Sequence, residues 1–77
     1  METKYGTLVR WLADRNFGFI REDQTGLDIF THVSGFTAKV ASPKGSRVRF
    51  HLAPNPRRAG DPMAVDVEPL VASAVIS

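Results

Sequence analysis

Turn-forming residues recur along this sequence at intervals of roughly eight to twelve residues, and the segments between them carry no helical period. Such spacing is typical of small all-β barrels and sandwiches, because each short segment can form a strand and each stretch rich in Gly, Pro or Asn a turn. We therefore predict five strands. They cover Tyr5–Ala13, Phe17–Arg21, Asp28–His32, Arg47–Ala53 and about Met63–Val67.

With 77 residues, the chain is long enough for one domain and too short for two. It contains no cysteine, which excludes disulfides and thiolate metal sites and suits a reducing compartment. No basic and apolar leader opens it, and no apolar run approaches the roughly 20 residues of a membrane helix. We therefore predict a cytoplasmic protein with a domain at residues 1–70. Residues 71–77 are apolar and form either a tail or a truncated linker.

The net charge of +2 is small, but basic residues concentrate in two parts of the chain. These are Lys4, Arg10, Arg15 and Arg21 near the start, and Lys39, Lys44, Arg47, Arg49, Arg57 and Arg58 further along. Acidic residues lie mainly elsewhere. This separation indicates either a basic face that attracts phosphates or an ordinary solvated surface, and charge alone does not choose between them.

The segment "RNFGFI" at residues 15–20 places two phenylalanines one glycine apart. In an extended chain Phe17 and Phe19 point to one side and Gly18 to the other. If this strand and the next pair as a hairpin, Phe30 and His32 share the same surface. The aromatic side chains are then either a slice of the core or a platform for a ligand.

Several features favour the platform. The Phe side of these strands also carries Arg21 and His32, which are poor neighbours inside a small barrel. The opposite sides of the strands supply enough apolar side chains for an interior, namely Ile20, Ile29, Val48, Phe50 and Leu52. An exposed aromatic patch indicates a binding surface, and unpaired bases suit it because every base has a π-face.

Two of these segments resemble the ribonucleoprotein motifs of cold-shock domains. "RNFGFI" is similar to that family's K-G-F-G-F-I, and "DIFTHV" to its D-V-F-V-H-F. "GTLVRWLAD" resembles its first strand, G-x-V-K-W-F-N, while "KGSRVRF" and "GDPMAVDV" resemble E-G-x-x-V-x-F and G-P-x-A-x-x-V. The resemblance runs from about Tyr5 to Leu70. It implies a five-stranded antiparallel OB-fold barrel that binds single-stranded RNA and DNA through its aromatic side.

Carried over to this sequence, the resemblance implies stacking platforms at Phe17, Phe19, Phe30 and His32. It also implies a phosphate or base-edge contact at Arg15 and a hydrogen-bond acceptor for a base at Asp28. From their charge, Lys4, Arg10, Arg15 and Arg58 are predicted to neutralise phosphates. Four such contacts would make log K fall against log salt with a slope of about −3. The predicted activity is low-specificity binding of single strands, with RNA-chaperone character and without catalysis.

The sequence departs from the family pattern at several positions. Asn16 replaces a glycine, and Asn tolerates the left-handed backbone that the turn needs. Val33 replaces a phenylalanine, and a usual loop aromatic is missing unless Phe36 serves. Counting back from Phe17 without a gap places Trp11 in the slot of the family's phenylalanine and Arg10 in that of its tryptophan. A shorter turn would instead keep Trp11 in its own slot. Both slots lie on the family's binding side, so Trp11 is predicted to bind in either case.

Nothing in the sequence favours catalysis. His32 and His51 are the only histidines, no carboxylate–histidine pattern suggests zinc, and no glycine-rich phosphate loop occurs. We predict no enzyme, metal or cofactor, and a monomer or strand-exchanged dimer whose partner is single-stranded RNA or DNA. The alternative is a nucleic-acid- or protein-interaction module of a longer membrane-tethered protein, since the chain also resembles N-terminal cold-shock domains of bacterial membrane proteins. A stop codon after Ser77 would contradict that alternative.

Overall fold

A computed structural model describes residues 3–38, 43–56 and 60–70. It contains five strands and one short 3-10 helix, close to the predicted pattern. The elements are β1 (Lys4–Leu12), β2 (Phe17–Glu22), β3 (Asp28–His32), the 3-10 helix (Val33–Gly35), β4 (Arg47–Pro54) and β5 (Pro62–Pro69). The predicted tail at 71–77 lies outside the described residues. No helix in the described part of the chain is long and apolar enough to span a membrane.

The strands close into a barrel in the order β1-β2-β3-β5-β4. The predicted five-stranded barrel is confirmed, with one difference in strand direction. Four of its pairings are antiparallel, whereas β3 and β5 run parallel. A parallel neighbour requires a connection that crosses the barrel, and the segment between β3 and β5, which includes β4, supplies it.

The barrel interior is filled mainly by aliphatic side chains on the inward positions of all five strands. The prediction is confirmed for Ile20, Ile29, Val48 and Phe50, whereas Leu52 is half-buried and packs against the cluster. The remaining buried members are Leu8, Phe36, Ala64 and Val67. Complete burial stabilises each large side chain by roughly 1.5–3 kcal/mol, so this cluster accounts for most of the hydrophobic stabilisation.

The turn between β1 and β2 sets the register of β2, the strand that carries Phe17 and Phe19. Asn16 has a φ of 60°, the left-handed conformation expected where the family has glycine. The carbonyl of Leu12 accepts hydrogen bonds from the backbone N–H groups of Arg15 at 2.9 Å and Asn16 at 2.8 Å. Asn is among the few residues with a side chain that adopt this conformation at little cost, so the turn closes as predicted.

Candidate nucleic-acid interface

Three phenyl rings and one imidazole lie together on the outer side of β2 and β3. In the hairpin, Phe17 pairs with His32 and Phe19 pairs with Phe30. Directly paired residues of antiparallel strands share one side of the sheet. The predicted common surface is therefore present, and we call Phe17, Phe19, Phe30 and His32 the aromatic face.

The phenyl rings of the aromatic face contact one another rather than the interior. The ring centroids of Phe17 and Phe30 are 5.3 Å apart at an angle of 41°. Phe19 stands nearly edge-on to both, with its ring centroid 6.2 Å from each. All three rings are half-buried and none belongs to the buried core cluster of the described residues. The alternative that they form the barrel core is wrong, and each braces the next while part of its surface meets solvent.

His32 is fixed by the 3-10 helix that follows it. The backbone N–H of Ser34 donates to His32 Nδ1 at 3.1 Å, and the Ser34 hydroxyl lies 3.0 Å from the same nitrogen. A backbone N–H can only donate, so Nδ1 is the acceptor and Nε2 carries the hydrogen of the neutral ring. The contact therefore selects one tautomer and leaves Nε2–H as the donor of the ring.

An ion pair borders the aromatic face at the end nearest the β2–β3 turn. Arg21 and Asp28 are paired in the hairpin, and Arg21 Nε donates to Asp28 Oδ1 at 3.0 Å. Both side chains are exposed. Asp28 thus lies where a base acceptor was predicted, with one oxygen engaged by Arg21 and further lone pairs on the other.

Two arginines border the aromatic face on its β1 side. Arg10 pairs with Phe19 across the strands, and Arg15 lies in the turn before Phe17. Both side chains are exposed, and within the described residues neither makes an ion pair. An exposed guanidinium without an acidic partner can neutralise a phosphate without first breaking another contact.

Lys4 lies away from this surface. Its Nζ is 3.5 Å from Oε2 of Glu22, a carboxylate that is almost fully buried. The Thr25 hydroxyl donates to the other oxygen, Oε1, at 2.9 Å. Moving Lys4 to a phosphate would leave a buried charge uncompensated, which is costly. The structure therefore does not bring Lys4 to the aromatic face, and Arg58 lies outside the described residues.

The expectation that Trp11 lies on the same side as the phenylalanines is wrong. Val9 forms a bulge between the pairs Leu8–Ile20 and Arg10–Phe19, so Arg10 occupies the outer side and Trp11 faces Gly18 on the inner side. The Trp11 ring is half-buried and meets Phe36 edge-on, with centroids 5.6 Å apart. Its function in binding remains a prediction.

Phe36 does not replace the missing loop aromatic. Its side chain is 1% exposed, within the core cluster, and its backbone forms a parallel bridge with Val67 of β5.

Leu12, by contrast, was missed by the sequence analysis. It pairs with Phe17, is half-buried, and extends the aromatic face onto β1. No sequence signal marks it, because a leucine in a strand usually belongs to the core.

Comparison with known families assigns this chain to a known class of module. The 'Cold-shock' DNA-binding domain family matches residues 5–70, which is most of the chain. This chain belongs to the cold-shock domain family. Cold-shock domains are nucleic-acid-binding modules rather than enzymes, so the assignment supports nucleic-acid binding in general.

A solved structure of Drosophila Unr, described as CSD456, has the same fold. It superimposes with a TM-score of 0.72 at 18% sequence identity and covers 97% of this chain. This cold-shock domain spans only 29% of that chain, so the likeness concerns the fold of one unit. No curated protein sequence matches this chain significantly.

The outer side of β4 in this cold-shock domain is neutralised by ion pairs. Arg47 pairs with Asp23, with Nη2 2.5 Å from Oδ2, and Arg49 with Glu68. His51 Nδ1 lies 3.1 Å from Asp66 Oδ2. Of the two alternatives left open by the charge pattern, the basic face does not hold for Arg47 and Arg49, because acids from distant parts of the chain pair with them. Among the described residues no cluster of His, Asp or Glu could hold a metal ion.

Proposed function

We propose that this domain binds single-stranded RNA or DNA with little sequence preference, in the cytoplasm and without catalysis. Bases stack on the aromatic face, while Arg10 and Arg15 neutralise phosphates beside it. The observation that supports this proposal is the outward placement of three phenyl rings on a barrel whose interior is already filled by other side chains. Partly exposed aromatic clusters of this kind favour a ligand with flat, apolar faces.

The proposal includes discrimination against duplexes. In a duplex the bases are already stacked and paired, so their faces cannot reach the phenyl rings. A domain that captures only unpaired segments shifts a hairpin equilibrium toward its open form by mass action. This RNA-chaperone activity requires no ATP, since the free energy comes from binding.

Replacing Phe30 tests the proposal, because Phe30 contacts both other phenyl rings. We expect Phe30→Ala to weaken the binding of a fluorescently labelled oligothymidine strand by about 5- to 150-fold, since stacking contributes roughly 1–3 kcal/mol per base. Phe30→Leu keeps most of the apolar volume and loses the ring, so it should also bind less tightly. Fluorescence anisotropy measures both affinities.

Tyr5→Ala is the matched control. Tyr5 is an exposed aromatic residue that pairs with Arg49 of β4, away from the aromatic face. The Tyr5→Ala variant should bind the oligothymidine strand as tightly as the wild type does. Wild-type affinity in both Phe30 variants, with melting temperatures close to the wild type, would contradict stacking on this surface. Equal affinity of the wild type for single strand and duplex would contradict the proposed preference.

A further inference from the structure

The outer surface that carries the phenyl rings continues beyond β3 onto β5. Phe30 of β3 pairs in register with Met63 of β5, and the next pair along is Thr31 with Ala64. Thr31 and Ala64 are both fully buried, so they face the interior. Strand alternation then places Phe30 and Met63 together on the outer side. Met63 is half-buried, and its partner on the other side is Ala53 of β4.

Met63 completes a row of outward side chains that crosses four strands. The pairings join Arg10 to Phe19, Phe19 to Phe30, and Phe30 to Met63. Neighbouring strands are about 4.8 Å apart, so the row spans about 14 Å from its first backbone to its last. The aromatic face therefore has an apolar neighbour on β5, where a base next to one stacked on Phe30 would lie.

The chemistry of the thioether suits a base. Methionine sulfur is polarisable and makes favourable contacts with aromatic rings, and the unbranched side chain adapts to the shape of its partner. Ala53, the neighbour of Met63 on β4, is small, so it leaves room above the methionine rather than filling it. No charged side chain is paired with Met63 in the sheet.

We propose that Met63 contacts a base directly and extends the binding surface by one nucleotide onto β5. This inference rests on the proposed function, because it takes a single strand already stacked on the aromatic face as its starting point. Met63 holds the nucleotide next to the one stacked on Phe30. Nucleic-acid strands too short to reach β5 gain no affinity from Met63.

A series of oligothymidine strands that differ in length by one nucleotide tests the inference. For the wild type, affinity should rise at the length that first reaches Met63. Met63→Ala should remove that increase, with a loss of about fivefold for long strands and no change for short ones. Met63→Leu retains an apolar platform and should lie between the two, while Tyr5→Ala should follow the wild type at every length.

Nuclear magnetic resonance gives a second measurement that does not depend on the stability of a variant. The chain has two methionines, so protein labelled at the methionine methyl carbon gives two signals, and Met63→Leu identifies the one from Met63. A base stacked against that methyl group should shift its proton signal upfield. The shift should appear with long strands and be absent with short ones.

The outcomes separate this inference from the proposed function. If the wild type binds no single strand, the proposed function fails and the inference fails with it. If Phe30→Ala weakens binding while Met63→Ala changes no affinity and the methyl signal does not move, only the inference fails. If Met63→Ala weakens strands of every length equally, Met63 supports Phe30 rather than a base, and the inference is wrong.

Discussion

Gly18, which separates the two phenylalanines, lies where β1 approaches β2 too closely for a side chain. Strand alternation turns position 18 inward, where the Trp11 ring of the paired residue lies against it. A Cβ at this position would lie 2.7 Å from the Trp11 ring and 2.1 Å from the carbonyl oxygen of Arg10. Both distances are well below normal contact. The glycine thus lets β1 and its tryptophan approach β2, which in turn holds the phenyl rings of the aromatic face outward.

Gly18→Ala should therefore destabilise the barrel. The nearer clash involves backbone, which cannot move aside as a flexible side chain would, so we expect a loss of about 1–3 kcal/mol in the free energy of unfolding. Urea denaturation measures it. Gly26→Asn is the control, because a Cβ at position 26 would meet only open space and Asn tolerates its φ of 73°. Equal stability of Gly18→Ala and the wild type would contradict the close approach.

The sequence was sufficient to predict the aromatic face but not the position of Trp11. Phe17, Phe19, Phe30 and His32 follow from strand alternation and one hairpin, both of which are local. Trp11 depends on the bulge at Val9, which inverts the alternation halfway along β1. A bulge adds one residue without a distinctive sequence signal, so the slots taken from the family resemblance placed Trp11 on the wrong side. The burial of Phe36 was not predicted for a related reason, since it depends on contact with β5.

At the scale of elements, the strand boundaries were predicted to within two residues, and the antiparallel directions hold for every pairing except that of β3 with β5. Each strand lies between turns rich in Gly, Asn or Pro, which end regular pairing. The parallel pairing of β3 with β5 joins segments about thirty residues apart in sequence, as the contact of Phe30 with Met63 shows. Local patterns determine which side of a strand is buried, but the whole fold determines which strand becomes its neighbour.

One ion pair joins β4 to the turn between β2 and β3. Arg47 donates to both oxygens of Asp23, at 2.7 and 2.5 Å, and also to the Thr7 hydroxyl at 3.0 Å. The hydrogen bonds from Arg47, together with its charge, hold the pKa of the Asp23 carboxyl below its usual value despite some desolvation. The same contact raises the pKa of Arg47.

This ion pair should make stability depend on pH in the acid range. Because the pKa of Asp23 is lower in the folded state, the stabilisation is present above the usual value of 3.8 and is lost as the pH falls below it toward the folded pKa. The melting temperature of Asp23→Asn should lie below that of the wild type at neutral pH, and the gap should narrow in acid.

Arg47→Gln provides the matched test, since it removes the other partner. The melting temperature of Arg47→Gln should also lie below that of the wild type at neutral pH, and this difference should narrow in the same acid range. The Asp23 carboxyl of the variant has no cation to hold its pKa down, so only the wild type loses stabilisation there. Thermal unfolding followed by circular dichroism measures each variant from neutral pH to below 3.8. A gap of constant size through that range would mean that the ion pair does not stabilise the folded state.

For the whole molecule, the fold decides which of the basic residues remain available to a ligand. The two basic clusters in the sequence suggested an extended positive surface. In the structure Lys4, Arg21, Arg47 and Arg49 pair with acids, whereas Arg10 and Arg15 make no ion pair among the described residues. Composition and spacing could not show this, because most of the acids arrive from distant strands and turns. Among the described arginines, those without an acidic partner therefore lie beside the aromatic face.

This arrangement predicts a weaker salt dependence than four phosphate contacts would give. With Arg10 and Arg15 each neutralising one phosphate, log K should fall against log salt with a slope of about −1.4, using roughly 0.7 per phosphate on a single strand. Arg15→Ala should reduce the slope to about −0.7. Phe30→Ala should lower the affinity at every salt concentration and leave the slope unchanged, because stacking releases no counterions. Anisotropy titrations of one oligothymidine strand at several salt concentrations measure all three slopes.

An unchanged slope in Arg15→Ala would show that Arg15 does not neutralise a phosphate. A changed slope in Phe30→Ala would show that the phenyl ring is needed to hold the backbone in reach of the arginines, so that stacking and phosphate contact are not independent.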